Sequence, residues 1–314
     1  MTRFLIGEAI GAAFSLIRRR PAAVFVWGLL VIGPILLFFP MMLAFMSGFV
    51  TSVEAESAVN SADATFPVGA FAGMMGMQAG AGLLNLLQLF AMIIVYPAVM
   101  RAVIQPDERS WFSLRVGMDE VRVAVVAAVV FGGLYVVMMF AVMLAVLVAA
   151  ITAAFGVSDI AVGVTMGLLM LTLVIAGLCA VTPFTLMAPA SLLYRRFAFA
   201  EGWRLAKGQW GRLIGLHLVS MAAILLIELL LLILILIVAW TIMNMGIDWA
   251  WPQVESENPF PAIKAVLAAW WPLMAAVSVF ICAFYGMLLT ISVAPVASAC
   301  AQLARQDEIN SVTG

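Results

Sequence analysis

Ile224-Leu225-Leu226-Ile227-Glu228-Leu229-Leu230-Leu231-Leu232-Ile233-Leu234-Ile235-Leu236-Ile237-Val238 is an apolar run broken only by Glu228. With its flanks, Leu213 to Met243, it exceeds the roughly 20 residues an α-helix needs to cross a hydrocarbon core about 30 Å thick. A helix satisfies its own backbone polar groups there. A barrel strand would alternate apolar and polar residues over about ten positions, and this stretch does not. Five further stretches pass the same test: Val24 to Met46, Leu83 to Ile104, Val123 to Ala153, Ala161 to Leu193 and Ala265 to Ala301. The whole chain agrees, since 66% of its 314 residues are apolar and 10% charged. A soluble domain carries about 25% charged residues. The sequence therefore predicts an all-α, polytopic integral membrane protein, one transmembrane domain over 1–314.

Positive charge orients such a protein, because Lys and Arg accumulate in cytoplasmic loops. Arg3, Arg18, Arg19 and Arg20 precede the first span; Arg101, Arg109, Arg115 and Arg122 fall between the second and third. Arg195, Arg196, Arg204, Lys207 and Arg212 fall between the fourth and fifth, with Arg305 after the sixth. The opposite loops hold Lys264 beside Glu54, Glu56, Asp63, Asp159, Asp248, Glu255 and Glu257. Both termini are thus expected in the cytoplasm. The start reads as an uncleaved first span rather than a signal peptide, its apolar run being long and without a clean small-x-small end. Cys179, Cys282 and Cys300 lack metal-ligand spacing and read as small apolar filler.

Three units repeat. Spans two, four and six end in proline followed by small residues, at Pro97, Pro189 and Pro295, each a candidate kink. Basic, aromatic-rich connectors follow the first two. Trp111-Phe112-Ser113-Leu114-Arg115-Val116-Gly117 aligns with Gly202-Trp203-Arg204-Leu205-Ala206-Lys207-Gly208, and Phe4 to Arg20 is the same element before span one. Each unit reads as an amphipathic interfacial helix plus two spans, with units at 1–106, 107–197 and 198–305 and a tail at 306–314. Constant orientation makes a pseudo-threefold axis along the membrane normal the natural arrangement. In the interfacial helices, Arg18, Arg19, Arg20, Arg115, Arg122, Arg195, Arg196, Arg204, Lys207 and Arg212 would face phosphate headgroups while aromatic and aliphatic side chains enter the acyl boundary. The phospholipid bilayer is the expected partner, with other membrane or envelope proteins beside it.

Ile6-Gly7-Glu8-Ala9 leading to Arg18-Arg19-Arg20-Pro21, and Glu201-Gly202-Trp203-Arg204-Leu205-Ala206-Lys207-Gly208-Gln209-Trp210, resemble the bacterial glycerophosphoryl diester phosphodiesterase membrane-domain family and related uncharacterised inner-membrane proteins. The resemblance implies six helices in a bacterial inner membrane. The catalytic barrel of such enzymes, with its histidines and metal-binding carboxylates, has no counterpart in this chain, which contains one His.

Glu228 is the sharpest functional candidate, because a carboxyl in mid-span costs several kcal/mol unless protonated, paired or wet. His217 lies 11 residues earlier on nearly the same helix face, which suggests a proton or cation path. The competing reading is a protonated Glu228 bonded to a neighbouring helix, with His217 at the interface. Glu228 is not repeated in the other units; the corresponding position in the second is Val137. Asn85, Gln88, Thr172, Thr182, Ser278, Tyr285 and Thr290 read as interhelical hydrogen-bonding groups before they read as a cavity lining. Gly69, Gly73, Gly76 and Gly80, interleaved with Met74, Met75 and Met77, read as a tightly packed segment before they read as a Cu(I) site. Asp119 and Glu120, with Asp107, Glu108, Arg109, Arg115 and Arg122, read as a solvated, salt-bridged face of a short cytoplasmic helix.

No nucleophile elbow, paired carboxylates, His and Cys cluster or phosphate-binding glycine loop is present, so no enzyme, cofactor or metal is expected. Nucleic-acid binding lacks a basic domain and an aromatic platform. An accessory or organising envelope protein is the first functional expectation, and a small permease for lipids or apolar solutes, with Glu228 in its pathway, the second. Glu228→Gln is expected to leave membrane insertion intact and to flatten the pH profile of any activity; a wild-type profile in that variant would rule out a proton role.

Overall fold

A computed structural model of the chain describes residues 4–59, 68–106, 111–156, 158–244, 265 and 269–313. Among them all regular structure is helical: α1 (Ile6–Arg19), α2 (Pro21–Val59), α3 (Val68–Ile104), α4 (Met118–Ala154), α5 (Asp159–Val181), α6 (Met187–Tyr194), α7 (Phe199–Ala206), α8 (Trp210–Asn244) and α9 (Trp271–Thr313). Six stretches are long and apolar enough to cross a membrane: Pro21–Thr51, Gly73–Ile104, Met118–Thr152, Ile160–Tyr194, Trp210–Val238 and Trp271–Ser311. These are the six that the sequence predicts, with shifted ends. Arg3, Asp63, Asp107, Glu108, Arg109, Asp248, Glu255, Glu257 and Lys264 lie outside the described residues.

Three departures from the sequence reading have local causes. The fourth span is two helices, α5 and α6, separated by the 3-10 turn Thr182–Phe184. Pro183 in that turn has no N–H to continue an α-helix, whereas Pro97, Pro189 and Pro295 lie inside α3, α6 and α9. The middle connector forms a 3-10 turn, Trp111–Ser113, instead of an amphipathic helix. Phe112 and Ser113 both have positive φ, which breaks helical propagation. Residues 306–313, read as a tail, continue α9, a 43-residue helix. At 1.5 Å per residue it is about 64 Å long, about twice the hydrocarbon thickness, so its polar last turns extend past the apolar run.

The chain falls into two compact units: Met1–Arg18, Tyr96–Ala223 and Ile291–Gly314 form the first, Arg19–Val95 and Ile224–Thr290 the second. The core of the first unit lies where helix ends gather. Phe4 and Ala9 from the N-terminal segment meet Leu186 and Ala190 of the α6 region, Leu205 of α7, Leu213 and Leu216 of α8, and Val296, Cys300 and Leu303 of α9. The three proline motifs serve this core, since Pro97-Ala98-Val99, Ala188-Pro189-Ala190-Ser191 and Ala294-Pro295-Val296-Ala297 are all buried. Amphipathic α1 buries Ala9, Ala13 and Leu16, one face at i, i+4 and i+7. Backbone bonds fasten it: Leu5 N–H donates to Gln302 Oε1 at 3.0 Å, and Arg212 Nη1 donates to the Phe4 carbonyl at 2.9 Å. α7 lies against α6 so closely that a Cβ on Gly202 would come within 2.6 Å of the Met187 Cα. Ser191 Oγ closes the turn between them, donating to the Met187 carbonyl and accepting from Ala198 N–H at 3.0 Å.

In the second unit, close packing depends on glycine. Gly28 of α2 lies against the Cys282 carbonyl of α9, and Gly286 of α9 against the Val24 carbonyl of α2, so a Cβ at either would collide with main-chain oxygen. The reciprocal contact, four residues apart on each helix, brings the backbones near enough for Cα–H···O attraction. Along α2, Phe38, Phe45 and Phe49 lie over Gly80, Gly76 and Gly73 of α3. That is the packed arrangement the glycine pattern predicts. Gly286→Val is expected to lower the thermal unfolding midpoint in detergent, by an overpacking cost of about 1–3 kcal/mol. Gly132→Ala, in open space, should stay within about 1 kcal/mol of wild type; equal melting of the two variants would refute the contact.

Candidate interfacial site

Polar side chains of the first unit concentrate where α3, α4, α6, α7 and α9 converge. Arg101, near the C-terminus of α3, is 2% exposed and pairs through Nη2 with Glu120 Oε1 of α4, itself 4% exposed. Its Nη1 donates to the Ser113 carbonyl at 2.9 Å, which holds the strained Phe112–Ser113 turn. Glu120 is therefore not part of a solvated face, and it belongs to a span helix rather than to a short separate one. The Asp119–Arg122 pair, 2.7 Å apart and part-exposed, and exposed Arg115 fit the solvated reading. The sequence held no sign of the 101–120 pairing, because the partners are 19 residues apart and meet only through tertiary packing.

A groove of about 680 Å³ opens beside this region, within the range of small-molecule sites. Its walls combine apolar Ile104, Leu193, Ala301 and Ala304 with Tyr194, Arg204, Arg305, Asp307, Glu308 and Ser311. Arg204 Nη2 bonds Asp307 Oδ2 at 2.8 Å, with side chains 65% and 47% exposed, so the pair contributes at most about 1 kcal/mol. Near it, Trp203 contacts Phe184 and Trp210, with ring centroids 5.5 and 6.1 Å away. Trp203 and Trp210 both remain substantially exposed.

The basic residues expected at the headgroups are mostly exposed: Arg18, Arg19, Arg115, Arg195, Arg196, Arg204 and Lys207. Arg20, Arg122 and Arg212 are half-buried. Arg196 pairs with Glu201 at 2.6 Å and has its guanidinium 5.9 Å from the Tyr194 ring centre. Arg195 ends α6 in the left-handed region at φ 52°, and Gly208 turns the chain after α7 at φ 80°.

Glu228 and His217 are not brought together. Eleven residues of α8 separate them by about 16 Å along the helix axis. His217 is half-buried, and its Nδ1 lies 2.8 Å from the Leu213 carbonyl, a bond within its own helix. Glu228 is exposed on α8, has no hydrogen-bond or ion partner among the described residues, and no residue from Met221 to Val238 is buried. Thr172, Ser278 and Thr290 each bond the carbonyl four residues earlier on their own helix rather than a neighbouring one. Cys282 and Cys300 are buried, Cys179 is exposed, and all three are free thiols. Among the described residues no cluster of His, Cys, Asp and Glu of metal-binding size occurs.

No family model, curated protein or solved structure matches the chain.

Glu120→Ala is expected to cost about 3–5 kcal/mol, because it leaves a buried guanidinium unpaired. The double variant Arg101→Met/Glu120→Leu should recover most of that loss. A thermal double-mutant cycle in detergent checks both; additive effects would show that the pair is not coupled.

Proposed function

We propose that this chain is a non-catalytic accessory protein of a bacterial inner membrane, related to the membrane-domain family its connectors resemble, that gathers other integral membrane proteins beside it. Both termini face the cytoplasm in this reading, as the distribution of Lys and Arg supports. The observation that carries it is Glu228. A carboxyl in hydrocarbon costs several kcal/mol when it has neither water nor a polar partner, and this one has no partner among the described residues of its own chain. A polar side chain on a neighbouring membrane protein supplies what the chain does not, and the bare apolar surface of α8 around it supplies the packing surface. The basic residues of α1 and α7 hold the assembly at the anionic inner leaflet. The permease reading uses the same carboxyl but needs it in a wet pathway, and the residues around it on α8 are apolar.

Gentle extraction of the tagged protein from native membranes, followed by mass analysis of what co-purifies, tests the proposal. A stoichiometric membrane-protein partner is expected with wild type, retained with Glu228→Gln and recovered in reduced amount with Glu228→Leu. Loss of a hydrogen bond in a bilayer, about 0.6 kcal/mol on average and up to about 2, predicts a drop in association of about 3- to 30-fold even where packing persists. No partner at all, or equal recovery with Glu228→Leu, would overturn it.

A further inference from the structure

The groove between α6, α7 and α9 carries a pattern of charge that selects its ligand. Four helices contribute to it: Ile104 closes α3, Leu193 and Tyr194 close α6, Arg204 comes from α7, and the remaining lining residues come from α9. On α9, Ala301, Ala304, Arg305 and Glu308 recur at i, i+3, i+4 and i+7, so they share one face. Its fixed charges sum to zero, with Arg204 and Arg305 against Asp307 and Glu308. Arg204 and Asp307 neutralise each other. That leaves one guanidinium, Arg305, and one carboxylate, Glu308, a single turn apart, both exposed and neither with a side-chain partner among the described residues.

Depth narrows the choice of ligand. Trp side chains collect at the boundary between hydrocarbon and water, and Trp203, in contact with Trp210, immediately precedes Arg204 on α7. The groove therefore opens at headgroup level. Its apolar wall suits the glycerol and upper acyl region of a lipid, and its polar wall suits the headgroup. An anionic headgroup would satisfy Arg305 and be repelled by Glu308. One with a phosphate and a primary ammonium satisfies both, the phosphate on the guanidinium and the ammonium donating to the carboxylate. We infer that this groove is a binding site for a zwitterionic aminophospholipid, with Arg305 holding the phosphate and Glu308 the ammonium. The inference rests on the six helices lying in a bilayer and is independent of any protein partner at Glu228.

Native mass analysis of the full chain tests it, after equilibration in mixed micelles holding equal amounts of phosphatidylethanolamine and phosphatidylglycerol. Wild type is expected to retain the ethanolamine lipid in preference. Arg305→Gln should reduce that retention about threefold, the scale of one exposed ion pair. Glu308→Gln, which leaves the lining with one net positive charge, should move the preference toward phosphatidylglycerol. Both side chains are exposed, so unchanged thermal melting will show that the variants are folded. Equal retention of both lipids in all three proteins would mean an unselective lipid shell and would overturn the inference, as would wild-type preference for phosphatidylglycerol. Displacement of the retained lipid by soluble O-phosphoethanolamine would reassign the groove to a free ligand of the same chemistry and overturn the assignment to a lipid.

Discussion

Lipid tails are as apolar as leucine, so an apolar helix gains almost nothing by exchanging lipid neighbours for protein ones. The chain is built around that constraint. Residues 221–238 of α8 contain no buried position, and the most apolar windows of α4 and α5 bury little or nothing. Association comes instead from what lipid does not provide. One source is very close backbone approach, at Gly28 and Gly286. The other is polar pairing at helix ends, where Arg101, Glu120 and the Ser113 carbonyl form a closed set. The buried core of the first unit gathers around such ends because there Leu, Val and Phe side chains can leave water, at about 1.5–3 kcal/mol each for full burial.

The same logic explains the short amphipathic elements. α1 and α7 are polar on one face and are not spans; they gain from burying Ala9, Leu16 and Leu205 against helices that would otherwise end in a polar layer. Gly202 allows α7 to lie on the backbone of α6, and Ser191 satisfies the Ala198 N–H left by the turn. The proline motifs that head this region place small side chains in the buried layer. Their resemblance to one another in sequence thus has a packing cause that any three helix segments entering this core would share.

How much of this was legible in the sequence follows from the range of each interaction. A span is a local property of about 20 residues, and all six were readable, as were the amphipathic α1 and α7. The glycine ladder of α3 was readable as a packed segment because its small-residue spacing is local too. The reciprocal glycines were not, since Gly28 and Gly286 are isolated in apolar runs and acquire meaning only when two distant helices cross. Glu120 was misread for a related reason: its charged neighbours in sequence suggested a solvated face, while its true partner stands 19 residues back on another helix. The middle connector was read by analogy with α7, yet two consecutive residues at positive φ turn it instead. Thr172, Ser278 and Thr290 read as reaching across helices, but each bonds the carbonyl one turn back, a local acceptor that competes with a neighbouring helix.

For the candidate sites the division is sharper. Glu228 was conspicuous in sequence because hydrophobic context makes one carboxyl stand out, but whether it met water, a helix or nothing was a tertiary question. The groove was invisible for the opposite reason, since Arg305, Asp307 and Glu308 look like an ordinary charged helix end. What distinguishes them is that Arg204, a hundred residues earlier, neutralises one of the two acids and leaves the other beside a single cation. Charge balance at a membrane surface is thus a property of the folded assembly. Exposed Arg18 and Arg19 at the end of α1 present positive charge side by side, whereas this groove presents both signs, and an arrangement of both signs is what can tell a zwitterion from an anion.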